Sequence, residues 1–405
     1  MIFSKFLLLN SSDDAGGLAQ VACMEFTTWY VDNNGDLYGT GLGNKGQQGS
    51  GSTSSVTTFT KRASNVKRVI EGGDANAGFA TWFIKDDDTA WGCGINTNGL
   101  QGNGNTSNVS TFAQRATNVK DIVCDPFVNG NSTCTYILQK DGTLLYSGKD
   151  TYSNISSTTF TQLETDVDKV AAYGGSVWII KNGVLYGKGY NTKGQQGSGS
   201  TSNISVFTQR ATDVKDVFPI ENATFYLTNN DDLYGCGDNT DGILGNNTSG
   251  GQYTFAKIAS NVKKVSCSSY TTWYLDNNNN LYCSGKNSSG QQGDGTTTDV
   301  RVFTQRATNV KDFASTATTT AYISSDNKLY ITGYNGYGQQ GSGNTTNVLT
   351  FTQRATNAKK VFVSSETIFY ITNDNYLYGC GGNSYGQQGS GNTTNVTTFT
   401  QRATL

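Results

Sequence analysis

One string recurs along the whole chain, and it constrains the fold more than any other feature. Residues 281–311 read L-Y-C-S-G-K-N-S-S-G-Q-Q-G-D-G-T-T-T-D-V-R-V-F-T-Q-R-A-T-N-V-K. The Leu-Tyr pair or its substitute stands at Leu37/Tyr38, Ala90/Trp91, Leu145/Tyr146, Leu185/Tyr186, Leu233/Tyr234, Leu281/Tyr282, Leu329/Tyr330 and Leu377/Tyr378. From Leu233 onward the copies are 48 residues apart. A fixed period of roughly 20–50 residues marks a solenoid or a propeller, because one such unit cannot bury its apolar face alone.

Each unit divides into four short segments of alternating character separated by turn residues. In the sixth unit they are 264–267, 271–275, 281–285 and 303–307. The second and third segments are joined by Asn, Asp and Gly, as in Asp32-Asn33-Asn34-Gly35-Asp36 and Lys140-Asp141-Gly142. These residues tolerate the left-handed backbone of tight hairpins. A calcium loop at 32–36 lacks the length and the glutamate that such a site needs. Four antiparallel strands repeated radially give an all-β, closed β-propeller of eight four-stranded blades, with seven as the alternative. The last unit stops at Leu405, and a strand of the type that should follow it begins the first unit near Leu18. One blade combining N- and C-terminal strands is therefore expected to seal the ring. Residues 1–17 precede the repeats as a tail or tether, and 18–405 form a single domain.

The pattern V-x-x-V … L-Y-G-x-G-x-N-x-x-G-Q-x-G resembles the repeats of the regulator-of-chromosome-condensation propellers. The resemblance runs from about residue 18 onward and is sharpest at Tyr186-Gly187-Lys188-Gly189-Tyr190-Asn191 with Gly194-Gln195-Gln196-Gly197. Two features depart from it. Family repeats carry a His before the second strand, where this chain has Ser, Thr or Tyr. They carry a Pro near the fourth, where this chain has Phe-Thr-Gln-Arg. The founding member has seven blades. The resemblance implies partner binding, as in a nucleotide-exchange factor for a small GTPase or an inhibitor of a secreted enzyme.

Composition excludes several functions. The net charge is −2 with both signs mixed, so the basic stripe that a phosphate backbone requires is missing and nucleic acid is not an expected partner. The chain has no His, which removes His-based general bases, Ser-His pairs and His metal ligands. No cofactor, metal or catalytic constellation is expected, and Asp86-Asp87-Asp88 reads as a solvated turn. The eight cysteines contain no C-x-x-C pair and read as small buried hydrophobes, with a Cys124–Cys134 bridge across a hairpin as the minor alternative. The apolar run near Met1 is too short for a signal segment or a bilayer span, so membrane insertion is not expected.

The Gly-Gln-Gln-Gly loop lies between strands and not before a helix, so it reads as loop architecture rather than as a phosphate cradle. Arg62, Arg115, Arg210, Arg306, Arg354 and Arg402 share one register, which predicts a structural bond from blade to blade. Aromatic pairs such as Trp29/Tyr30 and Trp273/Tyr274 alternate within the second strand and pack blade against blade.

Function in a repeat array is sought where units break the rule. Units two and three have long connections, 71–79 and 125–131, that carry Phe79 and Phe127. Unit three loses the Gly-Gln-Gln-Gly loop and has Tyr152 there. Loop positions become aromatic or basic at Lys45, Tyr190, Lys193, Tyr334, Tyr337 and Tyr385, and the last three sit in neighbouring units. Exposed tyrosines on rigid polar loops suit stacking on sugars or anchoring of a protein. The leading expectation is a non-enzymatic binding or structural module. It would be exposed on a virion, as in phage tails, or on a cell surface, and would recognise a glycan or protein receptor, with 1–17 docking it onto a larger assembly. The alternative is a regulatory protein-binding propeller, cytoplasmic in location. Against an exchange factor stands the lack of a wedge inserted between strands.

Overall fold

The computed structural model describes residues 20–74, 78–125 and 132–405. The expected tail at 1–17 and Phe127 lie outside the described residues. Eight four-stranded antiparallel sheets follow one another, each a simple meander of consecutive strands. Blade one comprises Gln20–Cys23, Thr27–Val31, Leu37–Gly41 and Val56–Ala63. The later blades occupy 66–116, 119–164, 169–211, 214–259, 262–307, 310–355 and 358–404. First strands of successive blades touch one another, which places them around a central channel, and the fourth strands lie outermost. A single-turn 3-10 segment at Thr97–Gly99 is the only helix among the described residues.

Period-2 alternation in the second strand lets each blade bury both faces. Trp29 and Val31 face blade two, where they join Val66, Val69 and Phe83. Tyr30 points the other way, onto Phe369 and Leu377 of blade eight. The eight buried clusters thus correspond to the eight seams. Edge-to-face aromatic pairs cross several of these seams: Trp29 meets Phe112 at 6.0 Å and Trp273 meets Phe351 at 6.3 Å. Turns at the opposite ends of the strands use the backbone that the sequence implies, with Asn279, Asn327 and Asn375 at φ of 61–63°.

The loop between third and fourth strands clasps the next blade. In it, Ser50 bridges to Thr111, Asp294 to Thr350 and Ser342 to Thr398, and Ser390 returns to Thr58 of blade one. Seven of the eight seams carry this bridge among the described residues; the seam between blades three and four does not. The last glycine of each loop makes the approach possible. A Cβ on Gly293 (φ +70°) would lie 2.4 Å from the Phe351 ring of blade seven. From the other side, a hydroxyl or thiol on the third strand donates to a carbonyl of the preceding loop. Thr332 donates to Gly290 O at 2.8 Å, Ser147 to Gly99 O at 2.6 Å and Cys380 to Gln339 O at 3.0 Å. This accounts for Cys93, Cys236 and Cys380, which are buried and free, as members of a Thr/Ser/Cys set.

Closure differs from the expected shared blade. Gln20–Cys23 pairs with Thr27–Val31 of its own blade, and Val396–Thr404 pairs with Tyr376–Gly381. Every blade begins with its inner strand, so among the described residues no strand is left over to be shared. The ring closes by the same clasp as the other seams, supplemented by Thr40 Oγ1 donating to Gly386 O at 2.8 Å and Asn33 Nδ2 to Leu405 O at 2.7 Å.

Two further readings are corrected. Arg306 bonds within its own blade, to Asp294 at 3.0 Å and to Gln292 Oε1, and Arg402 donates to Gly379 O; these arginines do not tie blade to blade. Where Leu163 and Ile258 replace the arginine, the partner glutamine is also missing, and Leu244 stands in its place in blade five. In unit three, Leu144 and Leu145 hold the Leu-Tyr positions, pairing with Glu164 and Gln162 as Leu185 and Tyr186 pair with Ala211 and Gln209. Tyr146 takes the position that is glycine in most blades. It fills the space left by Tyr136 in place of tryptophan and Leu163 in place of arginine.

The channel wall carries Gln20, Arg68, Asp121, Lys169, Asp216, Lys264, Asp312 and Lys360 at one register, alternating in sign after Gln20. Arg68–Asp121 (2.8 Å), Lys169–Asp216 (3.1 Å) and Lys264–Asp312 (2.5 Å) pair across seams. Each group is about a quarter to a third exposed, so a pair contributes roughly 0.5–1 kcal/mol.

Glycine placement gives a direct test of the clasp. Gly293→Ala meets both the left-handed backbone penalty and the Phe351 ring, whereas Gly183 (φ +74°) has open space around it. Gly293→Ala should lower the unfolding free energy by about 2–4 kcal/mol and Gly183→Ala by about 1 kcal/mol, measured by urea denaturation.

Candidate functional site

The clasp loop is held rigid by its own side chains. Asn335 Nδ2 donates to Asn344 O and Thr346 O at 3.0 Å, while its Oδ1 accepts Gln340 N–H at 2.9 Å. The second glutamine, Gln340, donates to Gly333 O at 2.5 Å. The first spans the seam: Gln339 Nε2 reaches Ser365 O (3.1 Å) of blade eight, and Gln387 Nε2 reaches Glu25 O (3.2 Å) of blade one. Its Oε1 accepts the N–H of one exposed-side residue, which is Lys45, Lys193, Ser289, Tyr337 or Tyr385 according to the blade. In these five blades a fixed frame therefore presents one variable side chain.

A second variable position lies beside it, at the end of the turn joining first and second strands. Its carbonyl accepts an N–H from the start of the same blade's loop, as Phe26 O does from Leu42, Tyr270 O from Lys286 and Glu366 O from Gly382. The residues there are Phe26, Phe79, Gly175, Asn222, Tyr270, Thr318 and Glu366. Both positions open onto one face of the ring.

The structure sorts the candidate residues into sectors. Tyr334 and Tyr337 pair edge to face at 6.1 Å, and Tyr385 lies tilted against Phe26 of blade one at 4.8 Å. The Tyr337 hydroxyl donates to Glu366, whose pKa is pushed up to about 7 by burial and by the Glu25 carboxylate. Tyr385 is 37% exposed. Across the ring, Tyr152 and Tyr190 meet at 5.0 Å over the seam that lacks a clasp. There Lys188 replaces the usual hydroxyl or thiol and pairs with Asp150 at 3.5 Å, both buried, while Asp125 Oδ2 accepts Gly175 N–H at 2.9 Å. Lys45 is half-buried and Lys193 exposed on the loop rim. Phe79 is a correction. The connection at 71–79 is largely strand, extending the first hairpin of blade two through Gly72–Ala80, Gly73–Phe79 and Asp74–Gly78, and Phe79 is buried.

Sequence reasoning missed Glu25, Phe26, Tyr270, Glu366 and Glu71. The first four lie in the turns between first and second strands, which share no motif; their signal was variability at a fixed register. Tyr270 carries the Lys286 ammonium at 4.1 Å, and Lys286 pairs with Asp241 at 3.3 Å. Glu71 accepts bonds from Thr27 Oγ1 (2.5 Å) and Trp29 Nε1 (2.9 Å), in a position that is Cys23, Cys124, Ala172 or Cys267 elsewhere. Burial pushes its pKa up to about 8.

On the opposite face charges are consumed locally. Lys215 pairs with Asp231 (3.3 Å), Lys257 with Asp232 (2.8 Å), and both Lys67 and Lys140 with Asp88. Among the described residues no group of three His, Cys, Asp or Glu side chains is placed to hold a metal. No helix among them is long and apolar enough to cross a membrane.

The family model for the regulator of chromosome condensation (RCC1) repeat matches residues 262–291 and 358–387, in blades six and eight. Among solved structures, human WBSCR16 is similar at 15% identity and a TM-score of 0.61, covering 86% of this chain and 96% of its own. Prp20p from Saccharomyces cerevisiae is similar at 14% identity and a TM-score of 0.59, covering 91% and 86%. Yeast RCC1 (Prp20) in complex with Kap60 gives 14% identity and a TM-score of 0.61, covering 91% and 83%. The fold is that of an RCC1-like β-propeller.

Two outcomes test the buried charges. Lys188→Ala leaves Asp150 without its counter-charge and should destabilise by about 3 kcal/mol, with Lys188→Met/Asp150→Asn recovering much of that loss. Because the folded-state pKa of Glu71 is raised, its contribution is full below pH 4.5 and is lost as pH rises toward about 8. Thermal unfolding from pH 5 to 9 should show that decline in the parent and a flatter profile in Glu71→Gln.

Proposed function

We propose that this protein is a non-catalytic, regulatory protein-binding propeller that receives its partner on the face built from the clasp loops and the turns between first and second strands. The observation that carries this reading is the asymmetry of the two faces. One face holds variable aromatic and acidic side chains on a rigid frame; the other neutralises its charges in local ion pairs. Aromatic anchors held rigidly lose little entropy on binding and dominate protein interfaces. The fold likeness adds support, since the Prp20p structure is described with binding to Gsp1p and histones, and yeast RCC1 with bound Kap60. The expectation of a virion or surface appendage recognising a glycan rested on composition alone, and the protein-binding alternative is the better fit. Binding without turnover also agrees with the channel, where Asp121, Asp216 and Asp312 are engaged by cations.

Site-specific photo-crosslinkers test the assignment. Placed at Tyr385, Tyr334 and Lys193 in the native source, they should capture one partner. Placed at Asp87 and Asn230 on the opposite face, they should not. Capture from the opposite face alone would reverse the orientation, and capture from neither face would remove the reading.

A further inference from the structure

We propose that five blades each bind a small inorganic anion, such as chloride, beside the arginine of the outer strand. The inference is independent of which face receives a partner protein. It comes from blade six, which supplies its own carboxylate at that place, set against the five arginine-bearing blades that do not.

In blade six each nitrogen of the guanidinium is engaged. Arg306 Nη1 pairs with Asp294 Oδ2 at 3.0 Å, Nη2 donates to Gln292 Oε1, and Nε donates to Cys283 Sγ at 3.3 Å. Asp294 divides its two oxygens between two tasks. Oδ1 accepts Asn287 Nδ2 at 3.0 Å and completes the loop frame, which leaves Oδ2 for the arginine. In the other arginine blades the same loop position is Ser50, Asn103, Ser198, Ser342 or Ser390. Ser198, Ser342 and Ser390 reproduce the Oδ1 contact, each accepting the frame asparagine at 2.9–3.1 Å. A serine has no counterpart of Oδ2, and neither serine nor asparagine brings a negative charge.

The consequence is the same in all five blades. Nε of Arg62, Arg115, Arg210, Arg354 and Arg402 is buried without a hydrogen-bond partner among the described residues. So is Oε1 of the matching glutamines, Gln48, Gln101, Gln196, Gln340 and Gln388, whose side chains are wholly buried. Arg402 keeps one bond, to Gly379 O at 3.4 Å. None of the five forms an ion pair with a described residue. Burial lowers the pKa of each, and no carboxylate is among the groups that oppose the shift.

A charge taken out of water without a counter-charge is costly, and an unfilled buried acceptor adds to that cost. An anion at the place of Asp294 Oδ2 offsets the guanidinium charge and draws it onto the glutamine, as the carboxylate does in blade six. A guanidinium suits this role, being weakly hydrated and offering several donors in one plane. Blades three and five carry Leu163 and Ile258 instead of arginine and so take no anion there.

Bromide-soaked crystals of the full chain locate the anions by anomalous scattering, and chlorine-35 NMR line broadening reads them in solution. Five peaks are expected at hydrogen-bond distance from the five guanidinium groups, with none beside Arg306. Asp294→Ser should add a sixth, beside Arg306. Ser342→Asp should remove the peak at Arg354 alone and cut the protein-dependent broadening by about one-fifth, as independent sites require. Arg354→Leu/Gln340→Leu, which copies the leucines that blades three and five use, should give the same loss if the aspartate variant does not fold. Ordered water in place of every bromide overturns the proposal, and so does equal occupancy beside Arg306. Peaks indifferent to Ser342→Asp, or no sixth peak in Asp294→Ser, overturn the assignment to the carboxylate position.

Discussion

The contact on which the ring depends is the reach of each Gly-Gln-Gln-Gly loop across its seam. A four-stranded sheet cannot bury two apolar faces alone, so each blade is stable only between neighbours. The loop answers that need in three ways. Its last glycine accepts a phenylalanine from the next blade at van der Waals range, its backbone bridges to that blade's outer strand, and its first glutamine bonds to the next blade's inner turn. Each component is local in sequence on one side and a repeat away on the other. The same contact therefore closes the ring between blades eight and one without a shared strand.

That arrangement also explains how binding variability is tolerated. Asn and Gln side chains satisfy the loop backbone, which leaves the neighbouring side chain free of structural duty. Lysine, serine and tyrosine then succeed one another at a single position without disturbing the frame. The seam between blades three and four shows the cost of losing the loop. A buried Lys188–Asp150 pair, the Tyr152–Tyr190 contact and the Asp125 bond to Gly175 replace it.

Much of the fold was legible. Strand positions in unit six, the left-handed turn residues and the structural role of the Asn/Gln loop all followed from alternation and turn chemistry. The slip of one residue in unit three was not legible, because Leu145-Tyr146 copies the Leu-Tyr motif while the packing of Tyr136 and Leu163 requires Leu144-Leu145. Of the candidate site, Tyr334, Tyr337 and Tyr385 were readable as exceptions to the loop pattern. Their acidic partners were not, since the turns that hold Glu25 and Glu366 share no motif to depart from.

What the sequence determined by itself was the blade: four strands, their turns and the alternation of faces, each set by backbone propensity and side-chain period within a few residues. What only the tertiary structure decided was which residues meet across seams. Asp121, Asp216 and Asp312 find their cations, Tyr385 finds Phe26, and Asn33 finds the carbonyl of Leu405 because a closed ring brings together positions a repeat or a whole chain apart. No local rule contains that distance; curvature summed over eight blades does.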